Sequence, residues 1–289
     1  MYENFIKLYL NKKQLLIFVM GISSGIPLYL ILSTLFIWLT REEIDISTIG
    51  LFALTQIPWS LKFLWAPFID NYKIPFFSDF LGQRKSWLLF IQINLSIFII
   101  CLGYSNPSNN LEITAIFALM VSFFSASQDI VVDAYRIEIL NDNSQGAGAA
   151  VTQFGYRVGG LLAGAGSLYL TIYLSWEQIF LVVSTIIFFL MIIIIFVIPS
   201  KNNHKASKKN IIIPFKEFIF RNSFSNILLI FLFIFFFKFG DVIAGVMANP
   251  FYVKIGFTNI EIANASKVFG VIMTIIGVFV GGYLVNVMG

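Results

Sequence analysis

Asp129, Asp133 and Arg136 stand four and three residues apart in SFFSASQDIVVDAYRIEIL, an apolar run from Ser122 to Leu140. On a helix these spacings put all three side chains on one face. A charge inside a bilayer costs several kcal/mol unless it faces a protein interior or a water-filled path, so such a stripe marks a functional site. The chemistry on offer is the handling of something polar within a membrane.

Other charges share that setting. Arg157 lies roughly 16 Å into its helix at 1.5 Å per residue, Asp129 roughly 10 Å from Arg136, and Lys62 about 12 Å from Asp70. Lys62, Arg157 and Asp129 therefore fall in one layer, where Asp129 and Arg157 are expected within salt-bridge reach in at least one conformation. Lys238, Asp241 and Lys267 make a second group further along the chain. Two readings stand: ion pairs that merely hold helices together, or a substrate and proton pathway. Buried ion pairs stabilise poorly compared with apolar packing, which favours the pathway.

The elements that position these residues are membrane helices. Of the 289 residues 58% are hydrophobic and 12% charged, and the mean hydropathy is +0.86, against about 25% charged in a soluble domain. At about 20 apolar residues per crossing, eight spans are expected: 15–40, 47–69, 87–104, 113–135, 146–173, 176–198, 223–248 and 259–286. Thirteen of the nineteen basic residues fall in the even-to-odd connections and the N-terminal segment, while only Arg41 and Lys254 fall on the other side. Retention of Lys and Arg in cytoplasmic loops then puts both termini in the cytoplasm. The net charge of +4 is a topology signal and calls for no nucleic acid. Trp38, Trp65, Trp87 and Trp176 sit near span ends, where indoles favour the interface.

Several functions are set aside. The N-terminal apolar run is too long for a signal peptide. Cys101 is alone, and His204 has no second ligand at a usable spacing, so no metal and no cofactor are expected. Gly159, Gly160, Gly164 and Gly166 lack the preceding strand of a dinucleotide site. No His lies in a span and no nucleophile–base pair is visible, which argues against a membrane enzyme. The pairs Gly155/Gly159, Gly160/Gly164 and Gly277/Gly281 instead suit close helix packing.

The chain divides at a basic linker, giving a six-helix bundle over 1–198, a cytoplasmic linker over 199–222 and a partial second bundle of two helices over 223–289. Ile211 to Phe215 interrupts the polar linker as a short amphipathic segment. Phe36-Ile37-Trp38-Leu39 with Ile46-Ser47-Thr48-Ile49 has a faint counterpart in Phe251-Tyr252-Val253-Lys254 with Phe257-Thr258-Asn259-Ile260. A parallel restart after six helices is the pattern of a transporter with two six-helix halves.

SQDIVVDAYRIEIL, followed by GAGAAVTQFGYRVGGLLAGAG, resembles helices four and five of the anhydromuropeptide permeases (AmpG), a branch of the major facilitator superfamily. Leu61 to Pro67 with Asp70, Gly82-Gln83-Arg84-Lys85-Ser86-Trp87, and KFGDVIAGVMANPFYVKIGF extend the likeness over essentially the whole chain. The helix-four motif is shared with acetyl-coenzyme A transporter relatives. The resemblance implies an all-α polytopic bundle and import of anhydromuropeptides across a bacterial inner membrane in peptidoglycan recycling, by proton symport. Asp70, Arg84 and Lys85 resemble the superfamily's conformational latch, here interrupted by the insertion Asn71 to Leu81. Such transporters have at least twelve helices, so this chain is expected to need a second polypeptide for transport, or else to be a non-transporting remnant.

Overall fold

The computed structural model describes residues 11–75, 77–197 and 224–274. Among these, every regular element is helical. The linker 199–222 and the pair Gly277/Gly281 lie outside the described residues.

Helix α1 (Lys12–Arg41) opens on Asn11, whose side chain accepts from the Gln14 amide at 3.0 Å. Pro27 removes one rung of its hydrogen-bond ladder, and a π-helical stretch, Leu30–Leu35, follows. The second span, α2 (46–71), departs from the single helix expected. It consists of Ile46–Leu51, Ile57–Leu61 and Ala66–Asn71, with the tighter 3₁₀ turns Phe52–Gln56 and Lys62–Leu64 between them. The cause is covalent: Pro58 and Pro67 cannot donate to the carbonyls of Leu54 and Phe63, so the chain tightens before each proline.

The insertion folds as a short helix, α3 (Phe77–Leu81), and Gly82, with φ of 81°, turns the chain into α4 (Gln83–Gly103). That left-handed backbone is one that glycine adopts freely. Helix α5 (Leu111–Ile139) has 29 residues, about 43 Å at 1.5 Å each. It outruns a hydrocarbon core of about 30 Å, so its last turns emerge at the end where the basic loops lie. Helices α6 (145–170), α7 (Trp176–Val197), α8 (Phe224–Lys254) and α9 (259–274) complete the described bundle. Among the described residues α1, α4, α5 and α7 are apolar and long enough to cross a membrane. Helices α2, α6, α8 and α9 coincide with the other expected spans over their described residues, α6 and α9 with π-helical stretches at Leu162–Gly166 and Ala263–Phe269.

Close packing of α1 on α6 organises the bundle. A Cβ at Gly155 would lie 2.4 Å from the Phe18 carbonyl, and one at Gly159 2.3 Å from that of Ile22. From the other side, Gly21 and Gly25 meet the carbonyls of Thr152 and Tyr156 at 2.5 and 2.3 Å. Backbones this close leave no room for any side chain.

The interior is layered. One apolar cluster, including Leu35, Phe36, Leu95, Leu102, Val121 and Phe180, fills the end away from the basic loops. A second, including Met20, Ile69, Leu88, Ile91, Val131 and Ile194, fills the basic end. Between them runs a polar stratum in which the Gln92 and Gln128 amides donate to Ser23 Oγ at 2.7 and 3.0 Å. Gln128 also donates to Ser24 Oγ at 3.3 Å. Neutral, hydrogen-bonded side chains pass through an apolar core at low cost, and here they lead to the charges.

Candidate functional site

Asp129 opens onto a cavity of about 270 Å³ lined by Ser24 of α1, Lys62 of α2, Val132 and Asp133 of α5, and Thr152, Gln153 and Tyr156 of α6. Its carboxylate lies 3.7 Å from Lys62 Nζ. Lys62 occupies the second 3₁₀ turn of α2, and Trp65, three residues on, donates to Ser127 Oγ at 3.0 Å, fastening that stretch to α5. Asp133 and Arg136 pair along α5 at 3.5 Å, with the Asp133 side chain 52% exposed toward the basic end.

Arg157 does not meet Asp129 in this conformation. Its Nη1 donates to the Tyr29 hydroxyl at 3.1 Å. Depth along the helix is similar for both residues, but rotation about α6 decides the contact. Tyr156 takes the position facing Asp129, and Arg157, about 100° further round, faces α1 at Tyr29.

At the basic end Arg84 bridges two carboxylates. Its Nη1 reaches Asp70 Oδ1 at 2.5 Å and its Nη2 reaches Glu138 Oε1 at 2.6 Å. The insertion does not pull the motif apart, because Gln83 Nε2 donates back to the Asp70 carbonyl at 2.7 Å and Trp87 Nε1 to that of Tyr72 at 2.8 Å. Lys85 is buried beside this bridge. Glu138 escaped the sequence reading because it lies off the face shared by Asp129, Asp133 and Arg136. A search for the acid that complements the far side of the Arg84 guanidinium would have found it.

Of the second charged group, only the Lys267 side chain lies among the described residues. Lys267, in the π-helical stretch of α9, donates to Asn249 Oδ1 of α8 at 2.8 Å, and Asn249 donates to the Leu32 carbonyl at 3.3 Å. Lys238 and Asp241 belong to α8, but their side chains lie outside the described residues. Gly164 faces the Lys267 stem, with Cγ at 3.8 Å from a Cβ built there, while Gly160 faces the Tyr29 ring. At the end away from the basic loops, Arg41 Nη2 donates to the Phe257 carbonyl at 2.6 Å and its Nε to Asn259 Oδ1 at 3.0 Å. Asn259 in turn donates to Thr171 Oγ1 at 3.0 Å, clasping α1, α6 and α9 together.

No cluster suited to a metal occurs among the described residues. An ionisable layer inside an apolar helical bundle, clasped at one end by Arg41, defines a multi-pass membrane protein. The model of the Major Facilitator Superfamily matches residues 15–289. The anhydromuropeptide permease of Escherichia coli (strain K12) is 34% identical over 99% of this chain and 58% of its own length. A Rickettsia conorii protein bearing the name AmpG 4 is 38% identical over 94% of this chain and 67% of its own length. A crystal structure of a bacterial homologue of the human lysosomal transporter Spinster, inward-facing and unoccupied, superposes with a TM-score of 0.65 at 16% identity. It covers 95% of this chain, which spans 62% of that one. The chain belongs to the anhydromuropeptide permease (AmpG) family of the Major Facilitator Superfamily.

Proposed function

We propose that the protein imports anhydromuropeptides, the anionic amino-sugar peptides of cell-wall recycling, across a bacterial inner membrane together with protons. The observation that carries this reading is the Lys62–Asp129 pair, held in the membrane interior on a cavity that opens past Asp133. With the basic loops cytoplasmic, the Arg41 clasp is periplasmic.

The pair supplies a coupling device. A proton delivered to Asp129 cancels its charge and leaves Lys62 without a counter-ion, ready to take a cargo carboxylate. Loss of that proton to the cytoplasm restores the pair and expels the carboxylate. The break in α2 at Lys62 gives the lysine room to change partner without moving a whole helix. Residues 1–198 act in this reading as the first of two rocking halves, with 199–222 the cytoplasmic linker and 223–289 the start of the second half.

The test is uptake of labelled anhydromuropeptide by a permease-deleted bacterium expressing the chain, alone and with a fragment supplying helices nine to twelve. Saturable uptake that rises with an inward proton gradient and is lost in Asp129→Asn is the expected result for the completed protein. Uptake indifferent to the gradient refutes the coupling. Reporter fusions placing residue 204 in the periplasm refute the orientation.

A further inference from the structure

Among the described residues, several cations of the bundle face carboxylates and others do not. Lys62 faces Asp129, Arg136 faces Asp133, and Arg84 faces Asp70 and Glu138. Arg157 and Lys267 have neutral partners only, the Tyr29 hydroxyl and the Asn249 amide, and no carboxylate among the described residues pairs with either. Arg157 is exposed beside α1 and Lys267 is half-buried; a cation within a membrane span and without a counter-ion is expensive, and a methionine or glutamine would hold the same helices together at less cost.

The two are aligned. Tyr29 contacts α6 at Arg157 and Gly160, and the Lys267 stem lies against Gly164 of the same helix. Positions 157, 160 and 164 share one side of α6, and seven residues separate the first from the last, about 10 Å along the axis. Glycine at 164 leaves space for the lysine stem, and the neighbouring π-helical stretches at Leu30–Leu35 and Leu162–Gly166 let α1 and α6 shape this wall. Asn249, 5% exposed, anchors the ammonium by one hydrogen bond and leaves its other two protons to donate elsewhere.

We propose that Arg157 and Lys267 form a two-point clamp for a ligand bearing two carboxylates separated by about the span from 157 to 164 on α6. In the proposed cargo, on whose identity this refinement rests, the sugar alone carries one carboxylate, and a peptide with a free C-terminus and an acidic side chain carries two. The peptide-bearing form fills both ends of the clamp, and the bare sugar fills one.

The experiment uses the whole chain in nanodiscs of zwitterionic lipid, with thermal unfolding as the readout. Probes are suberate, an extended dicarboxylate of comparable length, its monocarboxylate counterpart octanoate, the bare anhydro-disaccharide and its dicarboxylate peptide form. Suberate is expected to raise the midpoint of the native chain and of Lys267→Arg but not of Lys267→Met or Arg157→Gln, and octanoate to raise none. The peptide form is expected to bind about tenfold more tightly than the bare sugar, a ratio that Lys267→Met abolishes. A suberate effect without any muropeptide effect keeps the clamp and refutes the cargo. An equal response of the native chain and both neutral variants to suberate, or no response of the native chain, overturns the clamp.

Discussion

Lys62 and Asp129 face each other at 3.7 Å, one from a 3₁₀ turn of a broken helix and the other from the C-terminal half of α5. The contact is close enough to balance charge and too long for a strong hydrogen bond. Such a pair can open at modest cost when either charge is neutralised.

Removing one partner leaves the other stranded. Lys62→Met or Asp129→Ala alone is expected to destabilise by about 2 kcal/mol, moderated by the partial exposure of Lys62, and the double variant by less than either. Thermal unfolding of the three variants in one lipid checks this. Additive losses would mean that the two residues act independently.

Arg84 holds two carboxylates, so its loss should exceed the loss of either. Arg84→Ala is expected to cost more than Asp70→Asn or Glu138→Gln, each of which lowers stability by about 1 kcal/mol. If Glu138→Gln proves silent while Asp70→Asn matches Arg84→Ala, the Glu138 arm carries no weight in the latch.

Two glycines of α6 should respond oppositely to alanine. At Gly159 a Cβ meets the Ile22 carbonyl at 2.3 Å, and α1 must shift, at about 1–3 kcal/mol. At Gly146 nothing lies within 4 Å, and alanine gains about 0.5 kcal/mol by restricting the unfolded chain. Denaturation of both variants, read by far-ultraviolet circular dichroism, measures the contrast.

Asp45, in the loop between α1 and α2, caps α2 by accepting from the amides of Thr48 and Ser47, and these hold its carboxyl below its ordinary value of 3.8. The depressed folded value means that the cap contributes fully above the unfolded value near 3.8 and is lost as pH falls through the folded one. Asp45→Ala should therefore lower the unfolding midpoint at pH 7, by an amount that shrinks as the pH falls below the ordinary value of 3.8. A pH-independent difference would assign the effect to packing of the loop.

The charged stripe on α5 was legible in the sequence because helix geometry fixes it: residues four and three apart share a face whatever surrounds them. The need for about eight spans was legible too, since apolar length answers directly to membrane thickness. The break of α2 was written in Pro58 and Pro67, although counting apolar residues smoothed over it. What only the tertiary structure decided is azimuth. Asp129 and Arg157 have matching depths, yet the turn of α6 about its own axis gives Asp129 to Lys62 and Arg157 to Tyr29. That turn is set by Gly21 and Gly25 interlocking with Gly155 and Gly159, contacts that depend on both helices at once. Glu138 and Asn249 remained hidden because each becomes meaningful only when another helix brings it a cation. Spacing within one helix is a local property of the chain, and the facing of two helices is a property of the packed bundle.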